Sequence, residues 1–113
     1  MEEIVIYSLN GCGYSKAAVE TLNKYNIKYK IYNVDWSNKD DYKRMNNMTT
    51  FPQIFYKKNG SKIKIGGNND LDYIINLINE TKESKKFDEM VISLNKKLNI
   101  DKSMSLKLIN FLI

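Results

Sequence analysis

The sequence predicts an α/β fold: a four-stranded mixed sheet flanked by three helices, followed by a helical C-terminal extension. Three observations carry that expectation. Ile4-Val5-Ile6-Tyr7 alternates, runs into turn formers, and is followed by good helix formers over 16–22 and a second alternating run over 27–34. Two strands joined by a helix form a βαβ unit with parallel strands and a right-handed crossover. Asn59-Gly60 then stands between two further strand-like runs, which is the strongest short-range hairpin signal. Finally, Phe87, Met90, Val91, Leu94 and Leu98 recur at helical spacing in the last third of the chain.

Taken in order, the first helix is expected to bury Ala18, Leu22 and Tyr25, and the second strand to alternate Ile27, Tyr29 and Ile31 against Lys28 and Lys30. Asp35-Trp36-Ser37-Asn38 reads as a loop whose Ser37 or Asn38 caps a second helix, closed by Asn46-Asn47. The third strand starts at Pro52, where the missing N–H is tolerated, and the hairpin returns along 62–65. Gly66-Gly67-Asn68-Asn69-Asp70 reads as a polar turn before a helix carrying Leu71, Ile74, Ile75, Leu77 and Ile78. The order β-α-β-α-β-β-α is complete near Glu80. Met104, Leu108, Phe111 and Leu112 suggest a last helix after Asn99-Ile100-Asp101. The expected organisation is a domain over 1–82 and a helical extension over 83–113.

At 113 residues the chain has room for one real core. With 42% hydrophobic and 27% charged residues it has a globular composition. No apolar run approaches the roughly 20 residues that span a bilayer. The acidic start Met1-Glu2-Glu3 leads into a strand rather than a leader pattern. One cysteine excludes an internal disulfide and fits a reducing compartment, so a cytoplasmic location is expected. Histidine is absent, which excludes any mechanism needing an imidazole. The net charge is +5, spread rather than grouped. Lys57, Lys58, Lys62 and Lys64 read as the solvated face of the hairpin, and Lys82, Lys85 and Lys86 as a helix-connecting stretch. No basic motif interleaved with aromatics supports a nucleic-acid partner, and no membrane partner is expected.

The residue types that bear chemistry gather at Cys12. It follows the first strand and opens the first helix, where free backbone N–H groups and the positive helix end favour thiolate over thiol. A lone cysteine is more often core packing, but Gly11 and Gly13 on either side leave this sulfur uncovered and allow a peptide backbone to approach.

Three separated features now match one family. Cys12 after the first strand, Thr50-Phe51-Pro52 before the third, and Gly66-Gly67 before the third helix resemble glutaredoxin, of the thioredoxin fold. The resemblance covers about residues 3–80. It implies that Cys12 is the nucleophile that attacks a glutathionylated protein's disulfide, and that Gly13, Tyr14 and Ser15 complete the active-site tetrapeptide. It also implies that Pro52 is a cis-proline facing the sulfur and that the Phe51 backbone pairs with the cysteinyl part of glutathione. Gly67, Asn68, Asn69 and Asp70 would hold the γ-glutamyl end. Ser15 stands where dithiol members have a second cysteine, so the pattern is monothiol. Leu9 stands where the family commonly has a lysine that grips glutathione; Lys43 or Arg44 would substitute for that lysine at the glycine carboxylate.

Three functions fit this reading. The first is a glutathione-dependent oxidoreductase acting on protein–glutathione mixed disulfides. The second is a homodimer in which two Cys12 thiolates and two glutathione sulfurs hold a [2Fe–2S] cluster, as the resemblance of Cys-Gly-Tyr-Ser to the Cys-Gly-Phe-Ser of cluster-carrying members implies; the Trp-Pro pair and longer loop of those members are lacking. The third is a binding module whose C-terminal helices dock on a partner or a second copy.

Overall fold

The computed structural model describes residues 2–84 and 87–113, with 81–84 described by their backbone alone. The elements are β1 (Glu2–Leu9), α1 (Gly13–Lys24), β2 (Tyr29–Val34), α2 (Lys39–Asn46), β3 (Gln53–Lys58), β4 (Ser61–Gly66), α3 (Asn68–Ser84), α4 (Phe87–Leu98) and α5 (Lys102–Leu112). The strands form one mixed sheet in the order β2-β1-β3-β4. β1 runs parallel to β2 and antiparallel to β3, and β3 pairs antiparallel with β4. The chain divides into two compact units, Met1–Leu71 and Asp72–Ile113, with the division inside α3.

In the first unit the pleat sends successive side chains to opposite faces. Val5, Tyr7, Leu9, Val34, Phe51 and Phe55 form a buried cluster against which Cys12, Tyr32, Tyr42 and Met48 pack. Tyr7 anchors it, stacked on Tyr32 at 5.1 Å between ring centroids and edge-on to Phe55 at 6.0 Å. Ile4, Ile6 and Ile54 take the alternate positions and are fully buried. Each such side chain contributes roughly 1.5–3 kcal/mol by leaving water. The hairpin turns at Asn59 and Gly60, both at positive φ as a two-residue turn requires.

Several expectations change. α1 buries Ser15, Ala18 and Leu22, while Tyr25 is its exposed cap. β2 starts at Tyr29 because Asn26 turns left-handed and the Ile27 N–H closes back on Leu22. Its inward residues are Tyr32 and Val34; Ile31 is exposed because β2 is an edge strand. β3 begins at Gln53, one residue after the proline. Asn68, Asn69 and Asp70 are the first turn of α3, not a turn before it, and α3 runs to Ser84, which takes in Lys82. Lys85 and Lys86 lie outside the described residues. Among the described residues no helix is long and apolar enough to cross a membrane.

In the second unit, α4 and α5 pack as a pair. Met90, Val91, Leu94, Leu108 and Ile109 are buried. Asn99 turns left-handed between the helices, and Asp101 caps α5 by accepting the Met104 N–H at 2.9 Å.

Candidate functional site

The sulfur is placed by a strand-to-helix turn. β1 ends at Leu9, whose carbonyl accepts the Cys12 N–H at 3.0 Å, and Gly11 takes φ +80° to make the turn. The loop is pinned from β2 and the segment after it. The Asn10 N–H donates to Val34, its amide donates to Asp35 at 2.5 Å, and the Trp36 indole donates to the Asn10 carbonyl at 3.1 Å. Cys12 is the N-cap of α1, half-buried and extended at φ −87°, ψ 120°.

An N-cap position places a side chain over the first free N–H groups of its helix. As a neutral thiol Cys12 makes no capping hydrogen bond, yet the surrounding donors favour the anion. Burial pushes the thiol up, and the Ser15 N–H, the Ser15 hydroxyl and the Tyr14 N–H together outweigh it, so the thiol sits below its ordinary value. Ser15 is fully buried, and its Oγ accepts the Leu9 N–H at 3.2 Å. That bond holds the oxygen in place and leaves its proton to point elsewhere. Cys12 and Gly13 open onto a cavity of about 490 Å³ on the α1 side, walled also by Leu9, Lys16 and Val19.

A second cleft, of about 320 Å³, is lined by Tyr14, Met48, Thr50, Phe51, Gly67, Asn68, Asn69 and Asp70. The Phe51–Pro52 peptide is cis, and a side-chain carbon built on Gly67 would lie 3.7 Å from the Pro52 carbonyl oxygen. The first turn of α3 closes the far end, and its free N–H groups suit a carboxylate. One donor there is already taken: Asp70 Oδ2 accepts the Gly67 N–H at 2.8 Å, an acid at the third helical position reaching back to the cap. This arrangement requires Gly66, which sits at φ +121° with a Cβ position only 2.3 Å from Asp70 Oδ2. Asn68 Oδ1 is buried with no hydrogen-bond partner among the described residues.

The structure thus brings Tyr14, Phe51, Gly67, Asn68, Asn69 and Asp70 into one cleft, puts Cys12 and Gly13 on the neighbouring cavity, and buries Ser15 beneath the thiol. Met48 and Thr50 also line the cleft: Thr50 belongs to the Thr50-Phe51-Pro52 motif, whereas no motif marks Met48. Both residues continue into a third concavity, of about 540 Å³, with Lys43, Arg44 and Lys64 around it. Lys64 donates to the Asn47 carbonyl at 2.8 Å. Leu9, at the end of β1, is buried.

Among the described residues no group of three or more His, Cys, Asp or Glu could hold a metal ion. One chain offers a cluster a single thiolate, so its own donor set does not fit one.

The model of one protein family, described as Glutaredoxin, matches residues 4–60. Among solved structures, glutaredoxin 1 from Francisella tularensis, crystallised with cacodylate, is 25% identical over 71% of this chain and 99% of its own, with a TM-score of 0.57. A buckwheat glutaredoxin–glutathione complex is 17% identical, covering 79% of this chain and 76% of its own, with a TM-score of 0.43. No curated protein sequence matches. The fold is thioredoxin-like.

Proposed function

Because the chain belongs to the glutaredoxin family, whose members are thiol–disulfide oxidoreductases, we propose that it reduces protein–glutathione mixed disulfides through Cys12 alone. The observation that carries this reading is the thiol's seat: an accessible N-cap sulfur whose thiolate is favoured by the N–H groups of Tyr14 and Ser15 and by the Ser15 hydroxyl. Thiolate is the attacking species in disulfide exchange.

In the first step Cys12 Sγ attacks the glutathione sulfur of the mixed disulfide. A Cys12–glutathione disulfide forms, the protein–glutathione S–S bond breaks, and the protein leaves as a thiolate that takes a proton from water. In the second step a glutathione thiolate attacks that disulfide, giving oxidised glutathione and restoring the Cys12 thiolate. The cleft supplies the orientation. Phe51 lines the cleft, where its backbone would pair with an extended tripeptide, the free N–H groups of Asn68 and Asn69 suit the γ-glutamyl carboxylate, and Lys43 and Arg44 suit the glycine carboxylate. Asp70 is partly engaged in capping α3, so it serves the helix first and any ammonium group second.

A cluster-bearing dimer is the second reading. It is favoured by Gly13, where a side chain would meet nothing within 4 Å, so the space beside the sulfur is open. It needs three sulfurs from outside the chain.

The test is a deglutathionylation assay on a glutathionylated peptide, coupled to glutathione reductase, with the visible spectrum recorded on the same anaerobic preparation. The expected result is turnover that vanishes in Cys12→Ser, with no colour. Little turnover and a glutathione-dependent brown chromophore would move the protein to the cluster reading.

A further inference from the structure

The lysines of the hairpin do more than solvate it. The register lays Glu3, Lys57 and Lys62 in one row across the sheet, and Val5, Phe55 and Lys64 in the next. Residues directly opposite one another share a face, so Lys57, Lys62 and Lys64 stand together on the face that holds the Tyr7 cluster. The ammonium groups of Lys62 and Lys64 are held there. Lys62 Nζ lies 4.1 Å from the Phe55 ring centroid and 3.5 Å from Asn46 Oδ1, and Lys64 Nζ is bound to the Asn47 carbonyl.

Anionic compensation is sparse. Among the described residues the ion pairs engage Lys39, Lys43, Arg44 and Lys58, and none engages Lys57, Lys62 or Lys64. Glu3 is the one acid in the two rows. Burial, followed by the charges of Lys57 and Lys64, holds the Lys62 amine below its ordinary value, as expected where like charges crowd without acids between them. A guard against edge pairing would account for lysines on β4, but not for a cationic row that extends inward onto β3 at Lys57.

The row is also continuous with the site. Lys64 borders the concavity that shares Met48 and Thr50 with the Tyr14–Asp70 cleft. We propose that this band, leaving the cleft at Lys64 and running over Lys62 to Lys57, docks an acidic segment of the polypeptide whose glutathionylated cysteine is presented to Cys12. The inference rests on the oxidoreductase reading and names its substrate class: proteins with Asp and Glu near the modified cysteine. Positive charge set along the approach steers such partners and raises their encounter rate, an effect that salt weakens.

The experiment compares two decapeptides glutathionylated at a central cysteine, one flanked by Asp and Glu and one by Lys, with glutathionylated free cysteine as the small substrate. The wild-type chain is run beside Lys57→Glu/Lys62→Glu, which leaves Lys43, Arg44 and Lys64 intact. Wild type is expected to favour the acidic peptide by roughly tenfold in kcat/KM at low salt. That preference should fade as ionic strength is raised to about 0.5 M. The variant should lose or reverse the preference and keep wild-type turnover of the small substrate. Equal rates on both peptides, a preference that survives in the variant, or an equal loss on the small substrate would each overturn the proposal. Failure of the wild type on all three substrates would overturn the oxidoreductase reading itself.

Discussion

Two strand-to-helix junctions frame the site, and they solve the same problem differently. At the first, Gly11 turns left-handed and the chain enters α1 through Cys12; at the second, Gly66 turns left-handed and the chain enters α3 through Gly67. Both expose the free N–H groups of a helix start. The second junction covers part of that deficit internally, because Asp70 reaches back to the Gly67 N–H. The first has no side-chain cap. Its N–H groups and the Ser15 hydroxyl are left facing a sulfur that uses them best when charged. A capped junction is a scaffold, and an uncapped one is a reagent.

The comparison breaks most severely at Gly66→Ala. The new methyl would need both a left-handed backbone and the space filled by Asp70 Oδ2 at 2.3 Å. Moving the carboxylate away strips the Gly67 N–H of its partner. Strain and the lost cap together should cost about 2–3 kcal/mol and lower Tm by on the order of 10 °C. A thermal melt within about 2 °C of wild type would mean that the junction is not held by this contact.

Ser15→Ala should weaken the first junction in a different currency. The buried Leu9 N–H loses its acceptor, at about 1–2 kcal/mol, and the thiolate loses a donor. The sign follows from the depressed native value. The wild-type thiolate fraction, and with it the rate of alkylation by iodoacetamide, should rise at a lower pH than for an ordinary thiol, and Ser15→Ala should move that midpoint upward. Since the unfolded chain holds its proton to higher pH, folding stability gained from Cys12 is full above the ordinary thiol value and is lost as pH falls through the native one. An unmoved alkylation profile in Ser15→Ala would assign the lowering to the backbone N–H groups alone.

What was legible in the sequence follows from how local each signal is. The βαβ start and the Asn59-Gly60 hairpin rest on periodicity and turn chemistry within a few residues, and both stand in the structure. The place of Cys12 at the start of α1 and the cis Phe51–Pro52 peptide before β3 were legible through motif spacing. The inward face of β2 was not, since edge position in a sheet decides whether Ile31 or Tyr32 is covered. The burial of Ser15 was not, because a serine inside a helix reads as polar surface until the Leu9 N–H is seen above it. Asn68-Asn69-Asp70 reads as a turn by composition. The signal that makes it a helix start is Asp70 at the third helical position, an acid that can return to its own cap.

Gly13 offers the mildest and most discriminating change. It is the first residue of α1, its φ is not left-handed, and a methyl there would meet no atom within 4 Å. Gly13→Ala should therefore leave stability within about 0.5 kcal/mol of wild type, with a small gain from helix propensity as the direction of any change. Neither backbone conformation nor packing requires glycine here, so its absence of a side chain acts outward, on what comes to the sulfur. If the open space serves a bulky disulfide partner, Gly13→Ala should slow turnover of a glutathionylated peptide by severalfold while sparing glutathionylated cysteine. Equal rates on both substrates would show that the room beside Cys12 is not used by the incoming polypeptide, and would leave the first junction defined by its donors alone.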